Sequence, residues 1–198
     1  MTAPEAIFDT LLFNPNAGVC GPGPIIEYHL TKGSTYNGNT ELPVCMTLYG
    51  LALANDASVI VETGINNGAG ATLWLILAAG MNLGHYYGVD IKQQAIDDAG
   101  KAAGVVFPEG FPCSYNLQCG DALDLLPKQF DPGTIDFLFV DDNHEREHVE
   151  AEVKAFLPLM RPGGLMCFHD VVGVHEHDIW DVIRSEERRV GKECRSRW

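Results

Sequence analysis

The chain has 198 residues, 46% of them hydrophobic, with six cysteines and a formal net charge of −14. That is enough for one domain with a substantial core, and no internal period marks a repeat architecture. The acidic balance weighs against nucleic acid, whose binding begins with neutralising phosphates, and the longest apolar stretch, Leu73 to Met81, is too short to cross a bilayer.

The N-terminus lacks a basic region before an apolar core, so a cytoplasmic protein without a membrane partner is expected. Cys20, Cys45, Cys113, Cys119, Cys167 and Cys194 show no C-x-x-C pairing and read as reduced thiols. Thr2-Ala3-Pro4-Glu5 has the form of a capping box that opens a short helix through Leu12. Residues 14–24, with Asn-Pro-Asn and Gly-Pro-Gly-Pro, read as an irregular arm over the core. Thr40-Glu41 starts a second helix, with Val44, Leu48, Leu51 and Leu53 toward the domain.

Residues 59–72 carry the most information. The run Val59-Ile60-Val61 is a β-branched strand that ends in Glu62-Thr63 and enters a turn with Gly64, Gly68 and Gly70. Leu73 to Ala79 then reads as a buried helix. Gly64 and Gly68 carry no Cβ, so the backbone can turn tightly and approach a bound molecule, and the helix offers its free N-terminal amides at the same place. A nucleotide-like ligand fits this arrangement, although the glycines alone also serve an ordinary strand-to-helix turn. The order G-x-x-x-G-x-G differs from the G-x-G-x-x-G of dinucleotide-binding folds. With Glu62 two residues ahead of Gly64, it resembles the E/D-x-G-x-x-x-G signature of class I S-adenosylmethionine-dependent methyltransferases.

Further along, Tyr86-Tyr87-Gly88-Val89-Asp90 reads as a second strand that ends in an acid where a doubly wound sheet presents one to ribose hydroxyls. Capping of the helix that starts near Lys92 is the competing role for Asp90. Asp121, in Gly120-Asp121-Ala122, opens another helix and suits an N-cap; the resemblance implies a place beside the adenine amine, and the two roles are compatible.

Two later strands also end in acids. Ile135 to Val140 leads into Asp141-Asp142-Asn143-His144, and an amphipathic helix followed by a Pro162-Gly163-Gly164 turn leads to Leu165 through Asp170. Parallel strands place their carboxyl ends on one edge, so Asp141 and Asp170 should emerge side by side. This run resembles methyltransferase family 24, related to catechol-type O-methyltransferases and cephalosporin-hydroxylase-like proteins, over about residues 40–183. The family's fourth strand usually ends I-D-G-D-H, whereas Asp142 and Asn143 stand here in place of Gly and the second Asp.

The resemblance implies an α/β fold with a Rossmann-like, doubly wound, mostly parallel sheet. S-adenosylmethionine would be held by Glu62, Gly64, Gly68, Asp90 and Asp121, and a small-molecule hydroxyl would be methylated. It also implies a divalent metal, for which hard oxygen ligands from Asp141 and Asp170 favour Mg²⁺. Asp141 would position the acceptor, and His144 reads either as its general base or as the start of a helix. His144 and His148, four apart, and His169, His175 and His177 lack the firm His/Cys framework of a zinc site. His29 and His85 read as packing histidines.

The expected organisation is an N-terminal helix and arm over 1–39, a cofactor-binding domain over 40–183, and a basic tail over 184–198. The tail holds six of the 13 Lys and Arg, which leaves residues 1–183 with seven basic against 24 acidic side chains, and its composition resembles foreign adaptor sequence. The sixth and seventh strands of a class I methyltransferase, a C-terminal β-hairpin, are expected to be lacking after a helix at 178–183; the fifth strand would then be a bare edge open to homo-oligomerisation. An NAD-dependent oxidoreductase is the alternative enzyme, disfavoured by the glycine spacing and the lack of a Tyr-x-x-x-Lys relay. A truncated cofactor-binding protein without turnover is the reading from another class.

Overall fold

A computed structural model describes residues 22–31, 40–107, 113–171 and 182. The helix expected over residues 2–12 and the basic tail lie outside the described residues, and of residues 178–183 only Val182 is described. In chain order the elements are α1 (Gly23–Thr31), α2 (Leu42–Ala54), β1 (Val59–Thr63), α3 (Ala71–Met81), β2 (His85–Asp90), α4 (Gln93–Val106) and β3 (Ser114–Cys119), then α5 (Ala122–Gln129), β4 (Ile135–Val140), α6 (Arg146–Phe156), a 3₁₀ turn (Leu157–Leu159) and β5 (Met160–Phe168).

The strands form one parallel sheet in the order β3-β2-β1-β4-β5. All its strands run the same way because each pair is joined by a helical crossover, and helices on both faces explain why the central strands are apolar on both sides. Ile60, Tyr86, Phe137 and Phe139 point to one face and pack with α1, α2 and α3. Their neighbours Val61, Tyr87, Leu138 and Val140 point to the other and meet Leu126 of α5 and Phe156 of α6. Helix α3 is buried on every side from Ala71 to Gly80, as its unbroken apolar run requires. This is the doubly wound α/β architecture expected from the sequence.

Three local expectations need correction. The buried face of α2 consists of Cys45, Leu48 and Ala52, whereas Leu51 is 40% exposed. Helix α2 is apolar nearly all round, so periodicity did not choose its inner face. The Pro162-Gly163-Gly164 run is not the turn that ends α6: α6 stops at Phe156, and the run lies inside β5 as a bulge opposite Ile135 to Phe137. Gly163 adopts φ +79° there. The arm, expected to be irregular, also contains the helix Gly23–Thr31, which the sequence reading did not foresee.

At the amino ends of the strands, Asp136 is structural. One of its carboxylate oxygens accepts from the Ser58 amide at 2.8 Å, the Val59 amide at 2.7 Å and the Ser58 hydroxyl at 2.9 Å, while the other accepts from Arg161. Burial alone would raise this carboxyl; the hydrogen bonds outweigh burial and hold it below the ordinary range. All the acids proposed for chemistry belong to the opposite end of the sheet.

Candidate functional site at the carboxyl edge of the sheet

A parallel sheet sends every β-to-α loop to one edge, and a cavity of about 770 Å³ opens there. Gly64, Asp90, Asp121, Asp141, His144 and Asp170 line it, joined by Glu41, Asn66, Ile91, Asp142, His148 and His169. The loops after β1, β2, β3, β4 and β5 therefore converge on one crevice.

Glu62 and Gly68 take other places. Glu62, 2% exposed, lies beneath the cavity and accepts a hydrogen bond from the Tyr86 hydroxyl. Burial pushes its carboxyl up to about 8, reinforced by the nearby charges of Asp141 and Asp90. Gly68, at φ +71°, packs on α4, where a Cβ would overlap Ala99. Gly64, at φ +78°, crosses the end of β4 so closely that a Cβ would overlap the Asp141 carbonyl. Both glycines thus answer to protein backbone and packing, a demand that the turn pattern alone does not distinguish from a ligand's.

Asp90 ends β2 and is 9% exposed. Its Oδ2 accepts from the Asn66 amide at 3.0 Å and its Oδ1 from the Lys92 amide at 2.8 Å, so the acid braces the β1 loop and the start of α4. Each oxygen keeps a second acceptor site for a hydroxyl from the cavity. Asp121 is the N-cap of α5, its Oδ1 accepting from the Leu123 amide at 2.9 Å, and it too lines the cavity.

Asp141 is the hub of the side formed by the loops after β4 and β5. Thr40 donates to its Oδ2 at 3.0 Å, while Oδ1 stands 3.5 Å from His144 Nε2 and 3.2 Å from His169 Nδ1. Asp170, at φ +48°, lies 3.3 Å from the same His169 nitrogen, and the other His169 nitrogen faces Glu41 at 3.3 Å. Burial would raise Asp141, yet His144 and His169 hold it below the ordinary range. Hydrogen bonding to Asp141, against desolvation, pushes His169 up to about 9 and raises His144 from its ordinary value.

The ligand atoms of Asp141, His144 and His169 all lie within 4.8 Å of one another. Two imidazoles in this knot do not match the all-oxygen shell that Mg²⁺ prefers. His169 itself supplies positive charge between Asp141 and Asp170. Thr40, Glu41 and His169 are site residues that sequence reasoning missed. No local motif marks the first two, and His169 was grouped with His175 and His177, which lie outside the described residues.

A second knot lies beside the first. His148 Nε2 is 3.8 Å from Asp142 Oδ1 and 3.7 Å from Glu152 Oε1. Glu152 is fully buried, and burial together with the Asp142 charge pushes its carboxyl up to about 10. Elsewhere, His85 Nδ1 lies 2.6 Å from the Ser114 hydroxyl, and His29 is buried, which lowers its pKa; both fit the packing roles expected of them.

Comparison with known proteins agrees with the fold. A family model described as "Methyltransferase domain" (Methyltransf_24) matches residues 61–171, from β1 to just past β5. No curated protein sequence matches the chain. Among solved structures, an O-methyltransferase from Bacillus cereus in complex with SAH aligns with TM-score 0.65 at 17% identity, over 96% of this chain and 86% of that one. The O-methyltransferase TomG from Streptomyces achromogenes, involved in tomaymycin synthesis and solved with SAM, aligns with TM-score 0.64 at 22% identity, over 96% and 88%. Cofactor-bound Rv0187 from MTB aligns with TM-score 0.65 at 19% identity, over 95% and 84%. With the family match spanning more than half of its residues, the chain belongs to methyltransferase family 24, within the class I S-adenosylmethionine-dependent methyltransferases.

Proposed function

We propose that this protein transfers a methyl group from S-adenosylmethionine to a hydroxyl of a small-molecule acceptor. The observation that carries the reading is the convergence of Asp90, Asp121 and Asp141, from three separate strand ends, on one cavity. The family match supports the reaction class. The similar structures described as O-methyltransferases support oxygen as the acceptor atom. Nothing in the family match favours the NAD-dependent alternative.

Asp90 would hold the ribose hydroxyls with its free acceptor sites, and Asp121 the exocyclic adenine amine. Glu62 does not line the cavity and braces its floor through Tyr86 and Thr72. Bound S-adenosylmethionine supplies an electrophilic methyl group on a positively charged sulfur, so the protein's task is alignment, proton removal and exclusion of water. Asp141 orients His144 from 3.5 Å, and the acceptor hydroxyl delivers its proton to that imidazole. The Asp141 carboxylate then steadies the imidazolium. His169, with its pKa near 9, stays protonated at neutral pH and acts as a fixed positive charge rather than a base.

Calorimetry with S-adenosylmethionine, S-adenosylhomocysteine and NAD tests the pocket. Binding of the first two and not the third is expected, and Asp90→Ala should weaken both by about tenfold or more, the value of a hydrogen bond to a charged acceptor. Silence from the first two ligands would overturn the reading. Methyl transfer to a panel of hydroxyl compounds then identifies the acceptor class.

A further inference from the structure

We propose that Asp142, His148 and Glu152 form a binding site for a transition-metal dication of the Zn²⁺ class, separate from the Asp141 knot, that ties α6 to the loop after β4. His148 and Glu152 stand four residues apart on α6 and share a face, and Asp142 meets them from the loop. One ligand atom from each lies within 4.8 Å of the other two. The separations of 3.8 and 3.7 Å from His148 Nε2 fall inside the roughly 4.2 Å limit that two metal bonds of about 2.1 Å allow.

Glu152 points to a ligand independently of that clustering. Its relative exposure is 0%, and neither carboxylate oxygen has a hydrogen bond of ordinary geometry; its polar neighbours are the His148 imidazole at 3.7 Å and the Asp142 carboxyl. A buried carboxyl set against a second carboxyl, with its imidazole neighbour beyond hydrogen-bond length, is costly, and coordination of a cation satisfies both its charge and its lone pairs. One imidazole with two carboxylates is a donor set for Zn²⁺ or its first-row neighbours, since imidazole disfavours Mg²⁺ and Ca²⁺. Asp142 and His148 also line the large cavity, so the open side of the site faces it. The triad shares no residue with the Asp141–His144–His169 knot.

The test uses the full chain, stripped with chelator and titrated with Zn²⁺ by calorimetry and by thermal unfolding. A His144→Ala/His169→Ala background disarms the neighbouring knot. That background should bind one equivalent of Zn²⁺ and gain thermal stability from it. Adding Glu152→Gln, which keeps the side-chain shape, or His148→Ala should weaken the binding at least about tenfold and abolish the gain. Failure of the background to bind, or binding unchanged by both substitutions, overturns the proposal. Should a substituted chain not fold, NMR of the imidazoles in the unsubstituted protein reads the same event. His148 ring signals that move on Zn²⁺ addition support the site, and signals that stay in place refute it.

Discussion

Asp141 Oδ1 and His169 Nδ1 lie 3.2 Å apart and join the tips of β4 and β5 through an ion pair. The pair raises His169 from an ordinary 6.5 to about 9. A folded-state pKa above the unfolded value stabilises the fold fully below pH 6.5, and that contribution disappears as pH climbs through 9. Urea unfolding at pH 6 and pH 9.5 should show His169→Gln costing about 2–3 kcal/mol more at the lower pH. Equal costs at both values would remove the charge from the account.

Glu62 has a pH dependence of the same sign over a lower window. Its folded pKa of about 8 exceeds that of an unfolded glutamate, so the native state holds its proton where the unfolded state has lost it. Stability therefore falls as pH rises from about 4.5 to about 8. Glu62→Gln keeps an acceptor for Tyr86 and should flatten that fall, giving a protein at least as stable as the parent at pH 8. A variant whose melting temperature tracks the parent's from pH 5 to 8 would contradict the assignment.

Asp141→Asn should retain the Thr40 contact and cofactor binding while lowering kcat by roughly 10²-fold or more, because the amide no longer steadies a protonated imidazole. His144→Ala should lose activity together with the acidic limb of the pH–rate profile. A profile unchanged by His144→Ala would remove that residue from proton transfer.

Gly64→Ala should be severely destabilising. The backbone there sits at φ +78°, and a Cβ would overlap the Asp141 carbonyl. A loss above about 2 kcal/mol by chemical denaturation is expected, with S-adenosylmethionine binding falling alongside it. Gly133→Ala is the control, with a similar φ of +76° and no neighbour within 4 Å of the added carbon. The difference between the two measures the close approach itself.

The strand ends were legible because β-branched or aromatic runs closing on Glu62-Thr63, Asp90 and Asp141 combine local propensity with a polar terminus. Which acids face the cavity was less so: Glu62 ends its strand like the others yet is covered by packing around Tyr86. The inner face of α2 escaped because an almost wholly apolar helix has no periodic contrast. The Thr40–Asp141 hydrogen bond spans 101 residues of sequence, and no spacing rule encodes such a contact. The bulge in β5 was hidden because Pro-Gly-Gly has the composition of a turn.

Strand β1 pairs with β2 on one side and with β4 on the other. During synthesis the first partner follows within about thirty residues, whereas Phe137 to Val140 emerge some 75 residues later. Through that interval the unpaired amides and carbonyls of Ile60 to Thr63 are available to other chains. Mutations that delay the pairing of β4 with β1 should therefore lower the yield of soluble protein before they alter the finished molecule.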